Sequence, residues 1–184
     1  MKLFQPDVML KLFSKLLFSI VLILLAACNQ HYTDQYIEIK DDGLIYKVGR
    51  DQPYTGKIID TLNQRILEYD VVNGLKNGEF KILLFNGNLS VDGFVENNRN
   101  TGEWKYYYPS GQLESHGNFK NDKPYGKWTW YYSSGNIREE GTFFNGYKMG
   151  DWYTYTEDGR ITSMLSYYEG DKINEVKEKV SKNL

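Results

Sequence analysis

The bulky apolar positions of this chain recur at a fixed spacing. A glycine stands two residues before a bulky side chain five times, and the glycines are separated by 22, 24, 24 and 24 residues. They are Gly56, Gly78, Gly102, Gly126 and Gly150, and the bulky side chains are Ile58, Phe80, Trp104, Trp128 and Trp152. A second glycine series keeps the same step from Gly87 to Gly159. Such self-similarity indicates one supersecondary unit stacked on copies of itself.

The polar and apolar order within one unit predicts a β-hairpin. Each Gly-x-Trp is followed by a short run rich in Trp, Tyr and Thr, which are strand formers, and then by a glycine turn such as 109–111. A second strand over 112–120 and a longer turn over 121–125 complete the unit. The fold class is therefore all-β, an elongated antiparallel meander of hairpins of about 24 residues. The repeat domain is predicted over 42–170, and the lysine- and glutamate-rich segment 171–184 as a short C-terminal helix or tail.

The side-chain parity of the strands predicts an aromatic ladder on one face of the sheet. Phe119 and Trp128 flank one long turn, and Phe143 and Trp152 flank the next, so each pair is expected to be cross-strand neighbours. Equivalent tryptophans lie two strands apart, roughly 9.6 Å, and need the residue between them for contact. The predicted order is Trp104, Phe119, Trp128, Phe143 and Trp152. An interior glycine such as Gly117 predicts a bulge or a close backbone approach.

A second aromatic row has the opposite parity along the same strands. It consists of Leu83, Tyr107, Tyr131 and Tyr155 and should line the other face of the sheet. Tyrosine offers a large rigid area with a polar tip, so the tyrosines are candidate binding residues, and shielding of a thin sheet is the alternative. Trp130 stands where the neighbouring repeats have Tyr106 and Thr154, and it is a further candidate contact point.

The N-terminal segment has the pattern of an export signal. Basic Lys11 and Lys15 precede a stretch over 16–27 that is apolar except for Ser19, and the only cysteine, Cys28, follows Leu-Ala-Ala. This resembles the lipobox of bacterial lipoproteins, which implies that 1–27 is a signal peptide and that Cys28 carries acyl chains such as palmitate. Translation could begin at Met1 or Met9. Residues 28–41 would then be a lipid anchor and tether at the cell envelope. By the same resemblance, Asn29 favours the outer membrane over the inner one in a cell that has both.

The repeat units themselves resemble the bacterial MORN-repeat-variant proteins. Their pattern is Gly-x-Trp-x-x-Tyr-Tyr-x-x-Gly-x-Leu with a closing aromatic-x-Asn-Gly turn. One repeat matches it from Gly102 to Leu113, the next matches it from Gly126 to Ile137, and Phe143 begins a matching turn. Many such proteins are described as antitoxin-like, which implies binding of another protein without catalysis. For an exported chain, the resemblance implies an immunity-like or envelope interaction protein.

Charge and composition argue against nucleic-acid binding and against catalysis. The formal net charge is −2 and becomes −4 once 1–27 is removed, whereas a nucleic-acid surface needs a basic stripe. His116 occupies a position that holds Asp92 and Glu140 in the adjacent repeats, as a solvated site would, and no metal-ligand or nucleophile spacing stands out. We therefore expect no enzyme activity, no cofactor and no nucleic-acid partner. A protein partner is the leading expectation, and a cell-wall glycan stacked on exposed tyrosines is the alternative.

Overall fold

The computed structural model describes residues 36–176, and within them the chain is built from β-strands. Strands β3 to β13 pair in chain order as one eleven-stranded antiparallel meander, and β1 and β2 form a separate two-stranded sheet. The prediction of an all-β meander is confirmed. The strands are β1 Ile37–Ile39, β2 Ile45–Lys47, β3 Gly56–Leu62, β4 Arg65–Val72, β5 Leu75–Leu84, β6 Leu89–Glu96, β7 Arg99–Tyr107, β8 Leu113–Lys120, β9 Lys123–Tyr131, β10 Ile137–Phe144, β11 Tyr147–Tyr155, β12 Ile161–Tyr168 and β13 Asp171–Val176.

Two-residue turns along one edge of the sheet fix the hairpin register. Both residues of the Asn97–Asn98 and Asn121–Asp122 turns have positive φ, between 48° and 65°, which asparagine and aspartate tolerate best after glycine. Each turn is also bonded to the strand that follows the preceding turn, since the Asp122 carboxylate accepts the N–H of Asn100 in β7 at 2.7 Å. The Asn98 side chain accepts the Lys76 N–H at 2.7 Å in the same way. The turn residues therefore set both the hairpin and its docking on the preceding hairpin.

Three glycines inside strands lie directly under tryptophan rings. A Cβ built on Gly93, Gly117 or Gly141 would come within 2.3, 2.2 and 2.2 Å of the Trp104, Trp128 and Trp152 indoles, respectively. Each indole Nε1 also donates to the carbonyl of the residue after its glycine, at 3.1–3.2 Å. The ladder pairing shifts beside each of these glycines, so both the predicted bulge and the predicted close approach are present.

The aromatic ladder forms, although its predicted register was wrong. Ring centroids along Trp104, Phe119, Trp128, Phe143 and Trp152 are 5.7, 5.2, 6.1 and 4.9 Å apart in edge-on contacts. Directly opposite Phe119 is Pro124, however, and opposite Trp128 is Gly117. The bulge inserts a residue between these pairs, so each phenylalanine reaches its tryptophan diagonally. The three tryptophans are only 3–5% exposed because each indole lies flat on backbone and is ringed by other aromatic side chains.

A small apolar core lies at the N-terminal end of the repeat array. Ile45, Ile58, Tyr69 and Val71 are buried together, and Ile37 and Tyr54 pack on them. The last residues of the predicted tether therefore form strand β1, which pairs with β2 and covers the first unit. The signal peptide 1–27, Cys28 and the tether up to residue 35 lie outside the described residues, and their assignment stays a prediction.

The predicted C-terminal helix is wrong for its first six residues. Asp171–Val176 is strand β13, which pairs with β12 from Tyr168↔Asp171 to Met164↔Val176. The Glu169–Gly170 turn, with both φ values positive, reverses the chain against the open hydrogen-bonding edge of β12. The backbone hydrogen bonds that the segment gains by pairing with β12 outweigh its weak preference for a helix. Residues 177–184 lie outside the described part of the chain. Within residues 36–176 there is no helix long and apolar enough to cross a membrane.

Candidate functional site

The predicted tyrosine row lies on the face opposite the tryptophans. Tyr107, Tyr131 and Tyr155 come from β7, β9 and β11. Each stands three residues after a packed tryptophan and so has the opposite parity, and all three are half-buried. Each pairs across its hairpin with an aliphatic residue: Leu113, Ile137 and Ile161, respectively. We call this side of the sheet the tyrosine face. In the part of the chain that the structure describes, each strand contacts mainly its two neighbours, and no further layer covers this face.

Tyr131 belongs to a polar chain that crosses three strands. Its ring stacks on His116 with centroids 5.9 Å apart, and its hydroxyl lies 3.1 Å from His116 Nε2. The other ring nitrogen of His116 lies 3.3 Å from Glu103, which pairs with Lys105 at 3.0 Å. Lys105, followed by the hydrogen bond from His116, lowers the pKa of Glu103. The chain Lys105–Glu103–His116–Tyr131 thus anchors both the ring and the hydroxyl of Tyr131.

The next repeat builds the same chain from different groups. The Tyr155 hydroxyl donates to Glu140 at 2.8 Å, and Glu140 pairs with Lys127 at 2.8 Å. Glu140 stands at the position of His116, and Lys127 stands at that of Glu103, so the pattern is kept while the charges are exchanged. Lys127 and then the Tyr155 hydroxyl lower the pKa of Glu140, while burial and the Glu140 carboxylate raise the pKa of Tyr155 to about 12. Such exchange identifies these groups as supports of the tyrosines, and within residues 36–176 no cluster of His, Cys, Asp and Glu could hold a metal ion.

A second pair of tyrosines, to which the sequence reasoning assigned no role, fixes the backbone of the row. The Tyr108 hydroxyl donates to the carbonyl of Tyr131 at 2.6 Å, and the Tyr132 hydroxyl donates to that of Tyr155 at 2.7 Å. These bonds span 23 residues, so each repeat holds the tyrosine of the following repeat. The sequence shows a Tyr-Tyr pair at the repeat period, but only the structure shows which group accepts the hydrogen bond of the second tyrosine.

Trp130 is not part of the tyrosine face. Its ring lies between Trp128 and Trp152 at 5.6 and 5.7 Å, in the packed ladder on the other side of the sheet. Trp130 has the parity of Trp128, two residues before it, and there is no bulge between them. The four candidate binding residues therefore divide into three tyrosines on one face and one tryptophan on the other.

The Tyr155–Glu140 bond predicts a loss of stability at high pH. Below the ordinary tyrosine pKa of 10.0 both the native and the unfolded states hold the phenolic proton, and the contribution is complete. Between about pH 10 and 12 the unfolded state releases the proton while the native state retains it, so the free energy of unfolding falls. Urea denaturation across this range should therefore show a smaller decline in Tyr155→Phe than in the unchanged chain. Equal declines would contradict the assignment.

Comparison with known proteins identifies two of the units that carry the row, those of Tyr107 and Tyr131. Residues 100–121 and 124–145 match the family description "MORN repeat variant", two segments that span about a quarter of the chain. The first matched segment contains most of β7 and all of β8, and the second contains nearly all of β9 and all of β10. No curated protein matches the chain significantly. The two consecutive matches, on hairpins of one continuous meander, support a MORN-repeat protein.

Proposed function

We propose that the chain is a non-catalytic scaffold that binds another protein through its tyrosine face. The observation that supports this most is the partly exposed Tyr107–Tyr131–Tyr155 row on a face that no described element covers. The hydroxyls of Tyr131 and Tyr155 are held by hydrogen bonds to His116 and Glu140, and Lys127 pairs with Glu140 beside them. Rigid aromatic anchors with a polar surround are typical of protein-binding surfaces. MORN repeats often serve as scaffolds that bind proteins or associate with membranes, in agreement with the matched segments.

The setting that we propose for this scaffold is the bacterial cell envelope. The pattern before Cys28 supports cleavage after residue 27 and lipidation, which would hold the chain on a membrane, because two or three acyl chains give stable anchoring. In that setting the role is antitoxin-like or immunity-like, with a protein partner outside the cytosol. No catalysis, cofactor or nucleic acid enters the proposal. Binding of a cell-wall glycan is the alternative that the following test separates.

Removal of two tyrosines should abolish partner binding while the fold persists. A photo-crosslinking amino acid at position 107 or 131 of the membrane-bound chain is expected to label one protein, and the same group at the exposed Phe85 should not. For the variants the crosslinker is placed at position 155 instead. Tyr107→Ala with Tyr131→Ala should reduce labelling of the partner from that position at least about tenfold. The double Leu variant is the matched control for shielding, because Leu83 occupies the row in an earlier repeat.

The outcomes of the tyrosine test differ clearly. Lost labelling with an unchanged circular dichroism spectrum and melting temperature in the Leu variant supports a binding row. Unfolding of the Ala variant, together with full labelling in the Leu variant, would mean that the row only shields the sheet. Binding to cell-wall glycan that depends on one tyrosine, without a labelled protein, would favour the glycan alternative over the protein scaffold.

Replacement of the single cysteine should release the chain from membranes. The unchanged chain is expected to be cleaved before Cys28, to gain acyl mass and to sediment with membranes, whereas Cys28→Ser lacks the thiol that accepts the lipid. Intact mass and membrane fractionation measure both. If the unchanged chain stays soluble and unmodified, the envelope setting is wrong, and a cytosolic antitoxin-like scaffold becomes the leading proposal.

A further inference from the structure

A second surface on the tyrosine face lies at the long-turn edge, away from the tyrosine row. Tyr125 and Phe144 are 40% and 54% exposed, and their ring centroids lie 5.7 Å apart. The two rings stand between two grooves, which share them as walls. One groove, of about 560 Å³, is otherwise lined by Arg99, Lys120, Asn121, Lys123 and Asn145, and the other, of about 350 Å³, is otherwise lined by Gly126, Thr142, Phe143 and Met149. We call the two grooves and their shared rings the basic–aromatic patch.

The charge of the patch is one-sided. Arg99, Lys120 and Lys123 line the first groove, and no carboxylate lines it with them. Among the described side chains none forms an ion pair with these three, although eight ion pairs of other Lys and Arg side chains are found between residues 38 and 160. Lys120 instead lies 5.5 Å above the Tyr125 ring. Because the whole chain carries a net charge of −2, this concentration of positive charge is a local feature that an anionic partner would complement.

The repeat gives independent evidence that the fold does not require these residues. The position of Lys120 and Phe144 holds Glu96 in an earlier repeat, and the position of Tyr125 holds Thr101. The positions under the tryptophans, in contrast, keep glycine in all three repeats. A ring at an exposed position that the same fold fills with glutamate or threonine serves no common packing need. The fold therefore does not require the aromatic and basic side chains that this patch brings together.

We infer that the basic–aromatic patch binds an acidic linear peptide segment of the partner, with an apolar side chain beside its carboxylates. The carboxylates would occupy the groove of Arg99, Lys120 and Lys123, and the apolar side chain would occupy the groove of Thr142 and Met149 across the shared rings. Two adjoining depressions of these volumes accept individual side chains, which favours a peptide over a flat lipid surface. The inference rests on the proposed function, since it supplies the chemistry of one partner segment.

Peptide selection tests the inference without knowledge of the partner. A random octapeptide library displayed on phage is panned against the full chain in detergent, and we expect enriched peptides to carry Asp or Glu next to a large apolar residue. The best enriched peptide, synthesised with a fluorescent label, is then titrated against the variants. Its affinity should fall with added salt, as contacts between exposed charges do.

The variants take their residues from other repeats, so the fold has already accommodated them. Lys120→Glu with Lys123→Asp copies Glu96 and Asp171, and Tyr125→Thr with Phe144→Lys copies Thr101 and Lys120. Each double variant is expected to weaken peptide binding at least about tenfold. The second variant adds positive charge, which alone would favour an acidic peptide. Weaker peptide binding in this variant would therefore show that the apolar contact is needed too. Lys47→Glu with Arg50→Glu changes the net charge as much as the first variant does, in a distant groove, and should leave binding unchanged.

Several results would overturn the inference. Enriched peptides without acidic residues, or equal binding to the patch variants and the unchanged chain, would contradict it directly. Binding lost only in Tyr107→Ala with Tyr131→Ala would overturn it and leave the protein scaffold intact. A chain that selects no peptide, or whose patch binds phosphatidylserine vesicles instead, would overturn this inference alone, because the tyrosine face could still bind a folded protein.

Discussion

Gly117→Ala should lower the free energy of unfolding by about 3 kcal/mol, a large effect for the addition of one methyl group. The new Cβ would lie 2.2 Å from Trp128 Cδ2, far inside van der Waals contact, and the nearest atoms all belong to the rigid indole. The ring cannot yield within the sheet, because its Nε1 donates to the Asn118 carbonyl and Phe119 packs edge-on against it. The indole must therefore be displaced, and the sheet loses the packing of a side chain that is only 5% exposed.

A double-mutant cycle isolates this contact. In a Trp128→Ala background the ring is absent, so Gly117→Ala should cost almost nothing, and alanine could even stabilise the strand relative to glycine. Gly135→Ala is the control for backbone effects, since its φ is +91° and a Cβ there would meet nothing within 4 Å. Urea denaturation measures all four variants. A cost of Gly117→Ala that persists without the tryptophan would show that the strand, and not the ring, requires glycine.

The periodicity of the sequence was sufficient to predict the meander and the ladder, and the bulges show why it failed on the pairing. Trp128 and Phe119 were correctly placed in contact, but the direct partner of Trp128 is Gly117. A bulge adds one residue to one strand, and no residue type marks its exact position in advance. Gly117 indicated that some group approaches the backbone closely. That this group is the Trp128 ring depends on the strand register, which only the structure supplies.

The candidate site could be predicted in part for the same reason. Strand parity placed Tyr107, Tyr131 and Tyr155 on one face, because alternation is a local property of the chain. Trp130 was grouped with them by its unusual identity, and parity puts it on the opposite face. The partners of the row, such as Glu140 for Tyr155, come from neighbouring strands and exchange charge from one repeat to the next. The basic–aromatic patch could not be predicted from the periodicity, because residues such as Tyr125 and Phe144 depart from what the earlier repeats hold at their positions.

Trp128→Ala should cost about 3–5 kcal/mol and loosen the two hairpins on either side of it more than the rest of the sheet. The indole contacts Tyr106, Phe119, Trp130 and Phe143, so its loss opens a cavity shared by β7 to β10. In a repeat array each unit is stabilised chiefly by its nearest neighbours, so the damage should remain local. Native-state hydrogen exchange is expected to show accelerated exchange in β7 to β10 and retained protection in β3 and β4.

The matched variant comes from the chain itself. Phe80 occupies the position of Trp128 in an earlier repeat and contacts Tyr69 and Trp104 as a ring of the same face. Trp128→Phe should therefore keep the edge-on contacts, lose the Nε1 hydrogen bond to Asn118 and cost about 1–2 kcal/mol. Uniform loss of protection across all eleven strands would contradict the nearest-neighbour account, since it would mean that the sheet unfolds as one unit. Local loss would mean that a partner bound at β7 to β11 can stabilise its own repeats without the remainder of the array.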